Sequence, residues 1–317
     1  MDLNNPIGVK SLDFKQSPFI MNPFRFAGLV AGSRGVLAGG GSGATRYNTI
    51  DYIDIDVTGN ATDFGDLTVA RDNFCGVCNV TRGVFCGGST GFGDVNVMDY
   101  ITTATLSNAT DFGDLIAIAR GKYGMSDRDN RGVMAAISYG GVSMDYIAIG
   151  TTANSSDFGD MILGLGTGAS GISNNTRGCT AGGYSGSALT NSIQYITIAT
   201  PSNSTDFGDL TQSVYSCGGG SNDTRGLRFG GYAGGETNTI DYITIATTGN
   251  ALDFGNLTTT EQAGQAVCTN TRAVNCGEYN GLTTCEYVTI ATTGNATDFG
   301  NLTVGRHFPA AVDQSLG

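Results

Sequence analysis

The phrase Asp-Phe-Gly, followed by Asp or Asn and then Leu or Met, occurs six times in this chain. The copies begin at Asp63, Asp111, Asp157, Asp206, Asp253 and Asp298, with 45 to 49 residues between successive starts. A fixed period of this size means an array of equivalent supersecondary units sharing one core. The 317 residues therefore read as one repeat domain, although length alone suggests two. A residue present in all six units builds the unit before it does chemistry.

Each unit divides into four short segments. The second opens on an arginine, at Arg34, Arg82, Arg131, Arg177, Arg225 and Arg272. The third is the clearest strand, as in Ile240-Asp241-Tyr242-Ile243-Thr244-Ile245, where both faces are largely apolar. That pattern suits a sheet packed between two neighbours. The fourth carries Asp-Phe-Gly and follows a tight turn such as Thr58-Gly59-Asn60. Short runs rich in Ile, Tyr, Val and Thr, bounded by Gly, Asn and Asp, read as antiparallel strands. Four strands per unit and six units predict an all-β, six-bladed β-propeller. The final stretch Val304-Gly305-Arg306-His307-Phe308 echoes Val69 to Phe74. It is expected to supply the strand that joins the first blade and locks the ring, beside or in place of a segment near Phe26 to Val30.

The expected boundaries are an N-terminal arm over 1–23, the propeller over 24–312 and a tail over 313–317. The arm is too apolar for a linker and too proline-broken for a helix. Phe14, Phe19, Ile20 and Met21 make it an extended docking strap toward a partner, or one that folds back along its own propeller.

The second strand often ends in paired glycines (Gly39-Gly40, Gly87-Gly88, Gly182-Gly183, Gly230-Gly231), followed by a tyrosine-bearing third strand. This resembles kelch repeats, with Phe64, Phe112, Phe158, Phe207, Phe254 and Phe299 in the place of the usual tryptophan. Blades three and six depart, with Ala136-Ile137 and Gly277-Glu278 where the glycines should stand. More narrowly, Asp-Tyr-Ile-Thr-Ile-Ala-Thr-Thr-Gly-Asn with Asp-Phe-Gly-Asn-Leu is similar to repeats in structural proteins of tailed phages, marine and cyanobacterial ones especially. The likeness covers roughly Phe24 to Phe308. It implies a non-enzymatic virion component, assembled in the host cytoplasm and associated with tail or fibre. Its arm would dock on other virion proteins and its loops would meet a host-surface glycan or a neighbouring protein. A capsid decoration role is the alternative within that class.

The net charge of -12, with only three lysines, excludes the clustered cations that nucleic acid or anionic lipid demands. No apolar run spans a bilayer and no secretory signal opens the chain. Eight cysteines occur, several at repeat-equivalent places: Cys86 and Cys276 four residues after the repeat arginine, Cys78 and Cys268 four before it. They read as small buried strand residues, with neither metal nor cofactor expected. The six repeat arginines and the six Asp-Phe-Gly aspartates read as structural, most simply as an Arg–carboxylate fork stapling strand ends. An inward guanidinium ring for an anion is the alternative.

Variation within the repeat points to binding. The loop after the second strand differs in every blade and carries Arg46, Tyr47, Phe92, Tyr139, Tyr184, Tyr232 or Tyr279. Such an aromatic rim suits stacking on sugars or anchoring a protein, and equally suits the capping of exposed blade edges. An enzyme of a different class, a glycan hydrolase, would have to use loop carboxylates such as Glu236, Glu278 and Asp94.

Overall fold

The third strand is buried on both faces, with its tyrosine half-exposed. In Thr49–Asp54, Ile50, Asp51 and Ile53 are buried while Tyr52 is half-exposed, and the other five third strands repeat the pattern. The computed structural model describes residues 33–135, 141–166 and 168–314. These form six four-stranded antiparallel sheets, and the inner strands of successive sheets pack on one another around a closed circle. The chain is a six-bladed β-propeller. The proposed arm residues Phe14, Phe19, Ile20 and Met21, and the loop residue Tyr139, lie outside the described residues.

Blade two shows the plan, from the axis outward: Cys75–Cys78, Arg82–Cys86, Val97–Thr102 and Thr110–Asp114. Blade one takes its inner strand from the far end of the chain, Ala310–Asp313, which pairs with Arg34–Ala38. Gln314 still donates to the Arg34 carbonyl at 2.9 Å. The locking strand thus follows the echo segment 304–308 instead of coinciding with it. That segment is the blade-to-blade linker, and His307 bridges to Gly41.

Around the axis the inner strands approach closely because Gly76, Gly124, Gly171 and Gly219 carry no Cβ. A Cβ at any of them would meet a backbone carbonyl of the adjoining blade. The last residue of each inner strand then bonds to the next blade. The Cys78, Ser126 and Ser173 N–H groups donate to Ser126, Ser173 and Ser221 Oγ at 2.9, 3.1 and 3.1 Å. Cys268 N–H donates to the Asp313 carboxylate at 2.9 Å. The Ser221 and Asp313 N–H groups reach the Cys268 and Cys78 thiols, closing the circle.

The outer edge is also covered. Asn108 Oδ1 accepts the N–H of Asp66 in the preceding blade at 3.0 Å, and Asn154, Asn203, Asn250, Asn295 and Asn60 repeat this around the ring. The Asp-Phe-Gly glycine makes that approach possible. Gly65 has φ 146°, and a Cβ there would collide with the backbone of Ser107 and Asn108. The phenylalanine is buried, as at Phe64 and Phe112, and forms an edge contact with the third-strand tyrosine. The aspartates of the phrase are exposed in all six blades. On an outermost strand, such charges discourage edge-to-edge association.

The expected Arg–carboxylate fork is not what the repeat arginines make. Each lies over its own third-strand tyrosine, Arg82 at 4.2 Å from the Tyr100 ring, and donates to a carbonyl of the next blade. Arg34, Arg131, Arg177, Arg225 and Arg272 do the same to Thr103, Ala199, Ile245, Ile290 and Ile55. The strand register explains this. Arg82 pairs with Thr102 at one end of the blade, whereas Asp99 pairs with Phe85 toward the other. Their heads are occupied by carbonyls, so they form no inward anion ring.

Other cations answer the third-strand acids. Arg71 pairs with Asp99 at 2.7 Å, Arg228 with Asp241 at 2.5 Å, Lys122 with Asp145 at 3.4 Å, and Arg306 with Asp51. Blade four dispenses with charge, and Gln194 bonds both the N–H and the carbonyl of Leu163. One cysteine reading is corrected as well. Cys276 is joined to Cys285 across adjacent strands by a disulfide, while Cys75, Cys78, Cys86, Cys179, Cys217 and Cys268 are free.

Candidate functional site: an aromatic arc on the loop face

Antiparallel order puts the loops between second and third strands on the same face as the blade-to-blade linkers. Loop and linker are tied by backbone bonds. Tyr232 and Tyr215 exchange N–H to carbonyl bonds at 2.7 and 3.1 Å, and Gly41 with His307 and Ser89 with Asp72 form the same pair elsewhere. The linker residue therefore stands beside the variable loop. Its identity changes from blade to blade: Asp72, Arg120, Tyr215, Gln262 and His307.

In blades four to six these positions bring aromatics together. Tyr215 makes edge contacts with Tyr184 and Tyr232, with ring centroids at 6.3 and 5.5 Å. Partial burial raises the Tyr215 pKa, and the phenols of Tyr232, Tyr279 and Tyr184 raise it further. Tyr279 joins this group through the linker: its N–H donates to the Gln262 carbonyl at 2.9 Å, and Gln262 Nε2 donates to Glu236, which pairs with Tyr232. Tyr279 in turn stacks on His307 with centroids 5.5 Å apart, and both meet Phe308. Tyr184 and Tyr279 are 39% and 50% exposed, enough to offer ring faces to a ligand.

The next sector around the ring is charged, and it adjoins the arc where Asp72 lies 3.6 Å from His307 Nε2. Arg46, half-buried, pairs with Asp72 at 2.9 Å, and Arg120 lies 3.6 Å from Asp94. Tyr47 is half-exposed and Phe92 projects fully into solvent. The structure thus gathers Tyr184, Tyr232 and Tyr279 into one arc and leaves Arg46, Tyr47 and Phe92 outside it. Sequence reasoning missed Tyr215, His307 and Phe308. The available signal was variation at the linker position, which equals that of the loops.

The carboxylates considered for hydrolysis occupy different settings. Asp94 faces Arg120, while Glu278 is buried and accepts from Asn280 Nδ2 at 3.2 Å. Glu236 accepts from Gln262 Nε2 at 3.3 Å. Among the described residues no group of His, Cys, Asp or Glu is arranged to hold a metal ion.

The axis offers a second concavity of about 100 Å³, lined by inner-strand residues that include Ser126, Ser173, Ser221 and Asp313. Arg128 spans its mouth from blade three to blade five, donating to the Ser221 carbonyl at 3.2 Å and the Asp223 carboxylate at 3.0 Å. A left-handed backbone at Arg128, with φ 58°, aims the side chain there. No protein-family model matches the sequence, and no curated protein is similar to it at a significant level.

Proposed function

We propose that this propeller is a non-enzymatic recognition module, and that its loop face, centred on the tyrosines of blades four to six, holds its ligand. The supporting observation is that Tyr184, Tyr215 and Tyr232 are in ring contact and that Tyr279, stacked on His307, is tied to them through Gln262 and Glu236 on the loop-and-linker frame. Aromatics clustered and partly exposed on a closed scaffold supply contact area with little ordering cost. The ground for a virion setting, tail- or fibre-associated, is only the resemblance of the repeat phrase to those of tailed-phage structural proteins, with no significant match beside it. There the face would meet a host-surface glycan or a neighbouring virion protein, and the arm would dock on other virion proteins.

Two measurements test this reading. Antibody against the chain should label one defined part of purified particles by electron microscopy, and a particle without label removes the virion assignment. A chain lacking residues 1–23 should fold as a propeller but fail to enter particles. Normal incorporation removes the docking role of the arm.

A further inference from the structure

We propose that the tyrosine arc selects an uncharged glycan, and that acidic polysaccharides are excluded from it. This rests on the reading of the loop face as a recognition surface and names its ligand class.

The first argument is shape and chemistry. Tyr184 and Tyr279 keep 39% and 50% of their surface exposed, and the C–H face of a pyranose packs on an exposed tyrosine ring while the phenol bonds a sugar hydroxyl. Hydrogen-bonding groups beside the rings are amides and a carboxylate. Gln262 Nε2 meets Glu236 Oε1 at 3.3 Å, and Gln212 Nε2 meets Thr237 Oγ1 at 3.3 Å. The amides both donate to and accept from sugar hydroxyls, the Glu236 carboxylate accepts from them, and its charge repels an anionic substituent.

The second argument is charge. Every lysine and arginine among the described residues has a carboxylate or carbonyl partner. On the loop face the cations nearest the surface, Arg46 and Arg120, answer Asp72 and Asp94. Binding a polyanion would require breaking those pairs on a chain of net charge -12. A neutral sugar requires neither.

The test uses the full chain with dextran, laminarin and a neutral galactan, set against alginate and chondroitin sulfate. The chain has 13 tyrosines and no tryptophan, so tyrosine emission is read free of tryptophan, and stacking appears as a change on the summed tyrosine signal. At least one neutral polymer should bind saturably with a change in that emission, and neither acidic polymer should bind. Tyr215→Ala and Tyr232→Ala should weaken binding tenfold or more, whereas Phe92→Ala should leave it unchanged. Thermal melts identify any variant that has lost its fold, and Tyr215→Phe then serves as the milder substitution, with a loss of threefold or more expected. Tyrosine-dependent binding of alginate or chondroitin sulfate overturns the ligand class but leaves the recognition face standing. Tyrosine-dependent capture of a virion protein with no polysaccharide bound does the same. Saturable binding insensitive to all the tyrosine substitutions, or no binding of any kind, overturns both.

Discussion

Glu261 faces Glu286 at the site where, in other blades, Arg71 meets Asp99 and Arg306 meets Asp51. Both glutamates belong to repeat positions: Glu261 stands where the linker arginine stands, and Glu286 where the third-strand aspartate stands. Blade six therefore holds two carboxyl groups in place of an ion pair. Burial first, and Glu286 second, push the Glu261 pKa from 4.5 up to about 8. Asn275 Nδ2 donates to the Glu261 carboxyl, while Glu278 and Glu236 add further repulsion.

The sign of the pH effect follows. A carboxyl whose folded pKa is raised favours folding fully below its unfolded pKa, and that advantage is lost as pH rises through the folded value. Stability assigned to Glu261 is complete below pH 4.5 and gone above about pH 8. The linkage amounts to roughly 3–5 kcal/mol. Glu261→Gln should be more stable than the parent at pH 8, and the two should converge toward pH 4.5. Urea unfolding at pH 5, 6.5 and 8 measures this, and a difference independent of pH would refute it.

The buried pair Arg71–Asp99 gives a second prediction. Both side chains are fully buried, and Thr68 adds an Oγ1 bond of 2.5 Å to Asp99. Arg71→Leu leaves a buried aspartate without its cation and should cost about 3–5 kcal/mol. Blade four fills the equivalent positions with Leu165 and Gln194. The double variant Arg71→Leu with Asp99→Gln copies that solution and should recover at least half of the loss in denaturant melts. A double variant no better than the single one would show that Gln194 depends on its own surroundings.

Much of this architecture was legible in the sequence, for physical reasons. The tyrosine-bearing third strand, apolar on both faces, and the Asp-Phe-Gly spacing announced six blades because every blade meets the same packing demand. Partner choice was less legible. Arg82 and Asp99 each recur once per unit, yet strand register keeps them toward opposite ends of the blade. Composition counts charges and says nothing of which end they occupy. The site was half legible: Tyr184, Tyr232 and Tyr279 stood out in variable loops, but Tyr215 lies in a linker. Only the backbone pairing of Tyr215 with Tyr232 shows that linker and loop form one surface.

The axial glycines predict a local intolerance of volume. Gly124 faces the Gly76 carbonyl so closely that no side chain fits, whereas Gly59 has open space around it. Gly124→Ala forces the inner strands apart and should destabilise by about 1–3 kcal/mol or more. Gly59→Ala should leave the thermal midpoint within a degree or two. Equal midpoints for the two variants would mean that the axial circle yields freely.

The outer asparagines make the last case, and they also bear on how the ring holds its circumference. Asn108 Oδ1 receives the Asp66 N–H across a blade boundary, and the Ala109 N–H donates to the Asp66 carbonyl at 2.8 Å. The outermost strand would otherwise present unpaired groups to water. Asn108→Ala removes one acceptor at a partly hydrated site, so the expected cost is only about 1 kcal/mol. The sharper readout is hydrogen exchange. The Asp66 amide should lose protection by roughly tenfold while the amides of the inner strands keep theirs, because the lost bond joins edges and not the core. If protection instead fell evenly across blades one and two, the staple would be part of the cooperative core, and the edges of this propeller would unfold only with its centre.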